Sequence, residues 1–310
     1  MLSISEQEVI DHLTMPKAIE LVDRSFRQLA DGTAINHPRR RVVLPTGSIL
    51  HYLAAGNPDY FGIKVYSSNP KTGAHFQVLL YRSSDGLPVA AIAADRLGQI
   101  RTGAASGVAT RYLARESASV LGIVGSGYQA QTQIAALSQV RRLSEVRVWS
   151  RSPERCADFA SQCAAKFNLD VRPVNTAAEA LRGADIVVTA TNSKDPVLES
   201  AWISPGTHIN AMGSNWITRR ELPTDLVMEK AAVVAVDSVE DAMLESGDLM
   251  IPLQERPGAD FPAVELCEVM TGRHAGRTTA DQITIFKSNG LAAQDIAVAG
   301  YLYEKLSGYS

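Results

Sequence analysis

The sequence predicts an α/β protein: a doubly wound parallel sheet joined to a smaller α+β domain built on antiparallel strands. Three observations predict it. Residues 41–94 hold short apolar runs broken by Pro and Gly, with no helical stretch among them. From residue 117 onward, buried-strand patterns alternate with helical ones, which implies a parallel sheet with helices on both faces. Between them, residues 101–113 read as an Ala-rich helix.

The elements follow in order. Apolar residues Ala18, Ile19, Val22, Phe26 and Leu29 recur at helical spacing, predicting a helix over 15–31 closed by Gly32. Strands are predicted at 41–44, 49–55, 62–66, 76–81 and 87–94, with Asp85-Gly86 as the hairpin turn between the last two. Residues 119–124 form a continuous apolar run, as in a strand covered on both faces. A Gly-rich turn and a helix to about residue 140 follow, then a strand at 146–149 and a helix opened by Ser152-Pro153. Strands at 171–174, 186–190, 208–212 and 233–236 and a helix at 177–181 continue the alternation. Residues 291–306 are apolar at helical spacing and are expected to pack back on the first domain. The expected domains are 1–116 with 288–310, and 117–287. No internal repeat is visible.

The chain has 310 residues, with 30 Lys plus Arg against 33 Asp plus Glu, a net charge of -3. That balance argues against nucleic-acid or membrane partners. The beginning of the sequence lacks a basic segment followed by an apolar one, so a secretory signal is not expected, and a cytoplasmic setting is. Cys156, Cys163 and Cys267 are widely spaced and form no CxxC pair, and the histidines show no HExxH spacing. No metal site is expected, and the thiols read as buried apolar groups.

The sharpest motif is Gly125-Ser126-Gly127-Tyr128-Gln129-Ala130, a GxGxxA after a buried strand and before a helix. In that context it reads as a Rossmann dinucleotide fingerprint. Gly125 permits the turn, Gly127 lets a pyrophosphate approach the backbone, and Ala130 allows close helix packing. The next strand ends in Trp149-Ser150-Arg151-Ser152, where NAD-binding chains carry an acid for the ribose 2′-OH. Arg151 between two hydroxyls suits a 2′-phosphate instead. NADPH is therefore the expected cofactor, with NAD(H) as the alternative.

In the first domain the cations Arg39-Arg40-Arg41, Lys64 and Arg101 stand in or beside apolar segments, with Arg101 at the expected helix start. Converging cations imply an anion, most simply a substrate carboxylate.

With these residues in hand, the sequence resembles the ornithine cyclodeaminase/mu-crystallin family along nearly its whole length. The resemblance is carried by the motifs at 37–43, 62–64, 100–104, 123–127, 208–213, 245–248 and 285–290. It implies a two-domain subunit that pairs with a second copy through the sheet of its first domain. It also implies hydride exchange between a nicotinamide and the α-carbon of an amino or imino acid. Its carboxylate-binding positions fall on Arg40, Lys64 and Arg101. By resemblance, Gly213, Asn289 and Gly290 border the nicotinamide, and Thr102, Thr191 and Met212 join the cofactor contacts.

His51 and Asn215 stand where ornithine cyclodeaminase carries acids. A neutral Asn cannot serve as a carboxylate base. The Trp–polar–Arg strand end and the Phe286-Lys287-Ser288 segment are similar to mu-crystallin. Reduction of a ketimine or cyclic imine is therefore expected, with Arg40 and Arg101 clamping the carboxylate. Lys64 would pass a proton, and His51 and Asn215 would read the rest of the substrate. Ornithine cyclodeamination or an amino-acid dehydrogenase such as alanine dehydrogenase is the alternative, and a non-catalytic NADPH-binding protein stands third. Asp237 and Asp248 read as structural.

Overall fold

The computed structural model describes residues 1–308, which divide into two compact units, 1–104 with 290–308 and 105–289. The first begins with β1 (Leu2–Ile4), α1 (Glu6–His12) and α2 (Met15–Ala30), then β2 (Ile35–Asn36), β3 (Arg40–Val43) and β4 (Ile49–Gly56). β5 (Tyr60–Asn69), β6 (Gly73–Arg82), β7 (Pro88–Ala93) and α3 (Asp95–Leu113) follow, and α3 continues across the division at Ala104. The second unit holds β8 (Val120–Val124), α4 (Ala130–Val140), β9 (Glu145–Trp149), α5 (Pro153–Phe167), β10 (Val171–Pro173), α6 (Ala177–Leu181) and β11 (Ile186–Thr189). It goes on through β12 (His208–Ala211), β13 (Ala231–Val236), α7 (Val239–Glu245), α8 (Gly247–Glu255), β14 (Ala263–Glu265), α9 (Leu266–Met270) and β15 (Ile283–Lys287). α10 (Ala292–Ser307) belongs to the first unit.

In the first unit the sheet order is β1-β7-β6-β5-β4-β2, with β3 also on β4. Pairing is antiparallel except for β1, which lies parallel to β7. Side chains alternate between two faces. The inner face carries Leu53, Val78 and Leu80 and is covered by α10, which also packs on α2. The outer face carries Val42, Leu50, Tyr52 and Phe61, between 37% and 48% exposed, an apolar patch of the kind that marks an association surface.

β1 and α1 were not foreseen, since three residues and seven are too short to show a period. Ser5 caps α1 in a capping box with Glu8. α3 also begins six residues before the expected position. Its first amides are held by Glu6, whose carboxylate accepts from Asp95 N at 2.8 Å and Arg96 N at 2.9 Å. That cap comes from 89 positions away, so no local signal marks the start. Arg101 accordingly sits two turns inside the helix rather than at its start.

In the second unit eight strands run in the order β10-β9-β8-β11-β12-β15-β13-β14, all parallel. Both faces are buried, one under α4 and α5 and the other under α6, α7 and α8. β14 and β15 add to the six strands expected. The order reverses between β8 and β11, the point where open parallel sheets take ligands at their strand ends. Among the described residues no helix is long and apolar enough to cross a membrane, and no cluster of three His, Cys, Asp or Glu residues could hold a metal.

Candidate active site

In the second unit the fingerprint leaves β8 at the reversal point. Gly125 has φ +113, and its amide bonds Trp149 O at 2.8 Å. A Cβ there would lie 2.5 Å from Ala190 O, so only glycine fits. A Cβ at Gly127 would meet nothing within 4 Å, which leaves its backbone open to a ligand. Tyr128 is exposed, Ala130 is fully buried, and Gln129 caps α4 without a side-chain bond. The first turn of that helix closes on itself, Ala130 N donating to Gly127 O and Thr132 N to Gln129 O, each at 3.1 Å. Ser126 Oγ donates to Ser150 Oγ at 2.9 Å, Ser150 Oγ donates to Ser152 O at 3.2 Å, and Ser152 caps α5. Arg151 beside them is exposed and makes no ion pair among the described residues. An open glycine backbone and an unpaired cation at the reversal point fit a dinucleotide.

Thr191, Met212, Gly213 and Asn215 follow β11 and β12, and Asn289 follows β15, all at the same edge of the sheet. Two acids and a lysine tie this edge together. Glu221, fully buried, accepts from Thr191 N and Thr191 Oγ1 at 2.7 Å, and from Thr189 Oγ1 and Gly213 N at 2.8 Å. Asp248 accepts from the amides of Glu221 at 2.6 Å and Leu222 at 2.9 Å, and pairs Lys287 Nζ at 3.1 Å. Lys287 also donates to Ser214 O, and Asp237 accepts from Asn289 N at 2.7 Å. Nothing in the sequence around Glu221 marked it, because its partners lie on strands elsewhere in the chain.

In the first unit the expected cations differ in burial. Arg40 is exposed; the buried arginine of the run is Arg39, 6% exposed. The reason is register. Arg40 pairs Tyr52 and Arg41 pairs His51, so odd-numbered residues of the run turn inward with His51 and Arg40 turns outward. Lys64 and Arg101 are buried, at 3% and 7% exposure. Lys64 Nζ bonds Asp295 Oδ1 at 2.7 Å, and Arg101 Nε bonds the same oxygen at 3.0 Å. Arg101 Nη1 also bonds Gln294 Oε1 at 3.1 Å. Two glycines leave room for these cations. A Cβ at Gly98 would lie 2.7 Å from Lys64 Nζ, and one at Gly290, φ +79, would lie 2.6 Å from Arg101 Nη1. Thr102, half-buried, spends its hydroxyl on Gly98 O at 2.7 Å, and both it and Gly290 belong to this unit.

Burial pushes the Lys64 ammonium down to about 8; Asp295 raises it, while Arg101 and Arg39 lower it. Burial alone would raise the Asp295 carboxyl, but the Arg101 and Lys64 charges outweigh that and hold it low. His51 is pushed down to about 4 by burial and by Arg41 and Arg39, so it is neutral at pH 7. Its ring stacks on Tyr66 at 4.2 Å, and Tyr66 stacks on Phe76 at 4.7 Å. Lys64 Nζ lies 5.7 Å from the Phe76 ring centre. The result is a buried cation cluster bordered by an aromatic row.

The sequence profile of the ornithine cyclodeaminase/mu-crystallin family matches residues 2–310. A Δ1-pyrroline-2-carboxylate reductase of Bacillus cereus is 36% identical over 317 residues, covering 98% of this chain and 96% of its own. The ketimine reductase mu-crystallin of Mus musculus is 36% identical over 320 residues, covering 98% and 97%. The structure of Thermococcus litoralis Δ1-pyrroline-2-carboxylate reductase in complex with NADH and L-proline superposes with a TM-score of 0.94 at 33% identity, covering 100% of this chain and 98% of that one. With the fold, the fingerprint and the full-length match in agreement, the chain belongs to the ornithine cyclodeaminase/mu-crystallin family.

Proposed function

We propose that this chain is an NAD(P)H-dependent reductase of ketimines or cyclic imines bearing an adjacent carboxylate, of the pyrroline- or piperideine-2-carboxylate type, yielding an amino acid. One observation carries the reading. Lys64 and Arg101 share a single carboxylate, Asp295, so the buried pair holds a surplus positive charge. A buried surplus charge is costly without an anion, and a substrate carboxylate supplies one.

Residues 125–130, 150–152, 191, 212–213 and 289 would hold the nicotinamide cofactor, which supplies a hydride when bound. The first unit's cations perform the remaining work. Arg39 and Arg101 grip the carboxylate by charge-assisted bonds, which orients the imine carbon. The C=N bond takes a hydride at carbon and a proton at nitrogen. Lys64, with its lowered pKa, gives that proton from Nζ. His51, neutral, and Asn215 select the rest of the substrate by hydrogen bonds. Relatives named pyrroline-2-carboxylate reductase and ketimine reductase support the reading.

NADPH is the preferred cofactor in this proposal. The support is Arg151, exposed between Ser150 and Ser152 where an acid would select NADH. The Thermococcus relative is known with NADH, so the two cofactors must be compared directly. The division of labour follows the domains expected from the sequence, with 1–116 and 288–310 taking the substrate and a second copy, and 117–287 the nucleotide. The exposed apolar face of the first unit's sheet supports a homodimer. A reducing, cytoplasmic setting agrees with three buried free thiols.

The test is a panel of amino acids and cyclic imines followed by NAD(P)H absorbance. Steady oxidation of NADPH with Δ1-pyrroline-2-carboxylate is expected. Ammonia release from ornithine without net cofactor turnover would replace this reading with a cyclodeaminase.

A further inference from the structure

We propose that Glu221 is a positioning residue for the nicotinamide end of the cofactor, acting by locking the chain after β11 to the chain after β12. The inference rests on the cofactor reading above.

Adjacent parallel strands β11 and β12 end at Thr189 and Ala211, and the loops beyond them carry Thr191 and Gly213. Loops at such strand ends are ordinarily free to shift. Here one fully buried carboxylate joins them. Oε1 takes both donors of Thr191, and Oε2 takes the Thr189 hydroxyl and the Gly213 amide. The loops are pressed together at this point, since a Cβ on Gly213 would lie 2.2 Å from Thr191 O and 2.3 Å from Glu221 Oε1. Glu221 is itself anchored. Asp248 grips its amide, and Lys287, at the end of neighbouring β15, grips Asp248 and Ser214 O. The ends of β11, β12 and β15 are thereby tied into one unit.

These ends lie on one side of the point where strand order reverses. Gly125, Gly127 and Ser150–Ser152, the phosphate and ribose side of the proposed site, follow β8 and β9 on the other side. Loosening Glu221 therefore disturbs one half of the dinucleotide site and spares the other.

The isosteric substitution Glu221→Gln discriminates sharply. Each carboxylate oxygen serves one backbone amide and one hydroxyl. Whichever way the new amide turns, its NH2 faces a backbone N–H. A hydroxyl can rotate to accept; a backbone N–H cannot.

Calorimetry on the full chain compares NADPH with 2′-phospho-ADP-ribose, which lacks only the nicotinamide. NADH and ADP-ribose replace them if the unphosphorylated pair binds tighter. For Glu221→Gln the Kd of the dinucleotide is expected to rise about tenfold while that of the fragment changes less than about twofold. Equal losses for both ligands, or no loss for either, would overturn the proposal. If Glu221→Gln does not fold, Thr189→Val removes one buried donor, and the same split is expected at about threefold; equal effects again overturn it. A wild-type chain that binds neither ligand would end the cofactor reading itself, a result distinct from a variant that loses both alike.

Discussion

Lys64 Nζ lies 2.7 Å from Asp295 Oδ1, although 231 positions separate the two residues in the chain. The contact ties the central strand β5 to the closing helix α10, and Arg101 of α3 joins the same oxygen. Asp295 thus sets both the place and the charge balance of the cluster. Asp295→Asn is expected to leave two buried cations in mutual repulsion. Loss of one partner of a buried pair costs about 3–5 kcal/mol. Denaturant unfolding should show a drop of that order, and turnover should fall at least about tenfold. A change below about 1 kcal/mol would show that the pair is not what holds the cluster.

As the proposed donor, Lys64 can give a proton only while charged. With its pKa pushed down to about 8, imine reduction is expected to be full below that value and to decline as pH rises through it. Lys64→Arg keeps a charge across this range, so whatever rate it retains should not show the alkaline limb. A wild-type profile flat from pH 7 to 9.5 would remove Lys64 as the donor.

Arg39 and Arg40 are neighbours with opposite expected effects. Arg39→Ala removes a buried cation and should lower kcat/KM by about 10- to 100-fold, as for a charge-assisted bond. Arg40→Ala, on the exposed side of β3, should change it less than about twofold. Steady-state kinetics with one imine substrate decides between the two arginines.

Arg151→Ala should weaken NADPH binding about tenfold and leave NADH binding nearly unchanged. Kd values for the two cofactors measure it, and equal effects on both would remove Arg151 from the 2′-phosphate site.

His51 connects the cluster to acid stability. Its folded pKa is about 4 against an ordinary value of 6.5, so between these the unfolded chain holds a proton that the native chain does not. The native state is therefore favoured above pH 6.5 and loses stability as pH falls toward 4. The loss from this one group is at most about 3 kcal/mol. Buried His208, pushed down to about 3, adds a slope of the same sign. His51→Asn should lessen the decline without abolishing it, as read from urea unfolding at pH 7, 5.5 and 4.5.

Much of this molecule was legible as sequence because its periods are local. The strand–glycine–helix run at 120–140 announced itself, as did the alternation of parallel strands and the hairpin at Asp85-Gly86. What stayed hidden depends on partners distant in the chain. The start of α3 is set by Glu6, and nothing near Asp95 marks it. Choosing between Arg39 and Arg40 requires the pairing of β3 with β4, where a slip of one residue exchanges the two faces. Glu221 acts on loops that its neighbours in sequence do not reveal. Asp295 did leave a sign, as the one charged residue in a mostly apolar stretch from 292 to 303. A charge in a helix buried on every side needs a partner, and the unpaired cations Lys64 and Arg101 were already in view.

The two glycines that cradle the cations have a practical reach. Any side chain at position 98 or 290 would strike Lys64 or Arg101, so the backbone itself dimensions the space around the two cations proposed to meet the substrate's acid group. Retuning the enzyme toward bulkier or smaller imines therefore has little room there. Libraries seeking new substrates are better directed at the ring-lined flank formed by His51, Tyr66 and Phe76, where side chains rather than main chain draw the boundary.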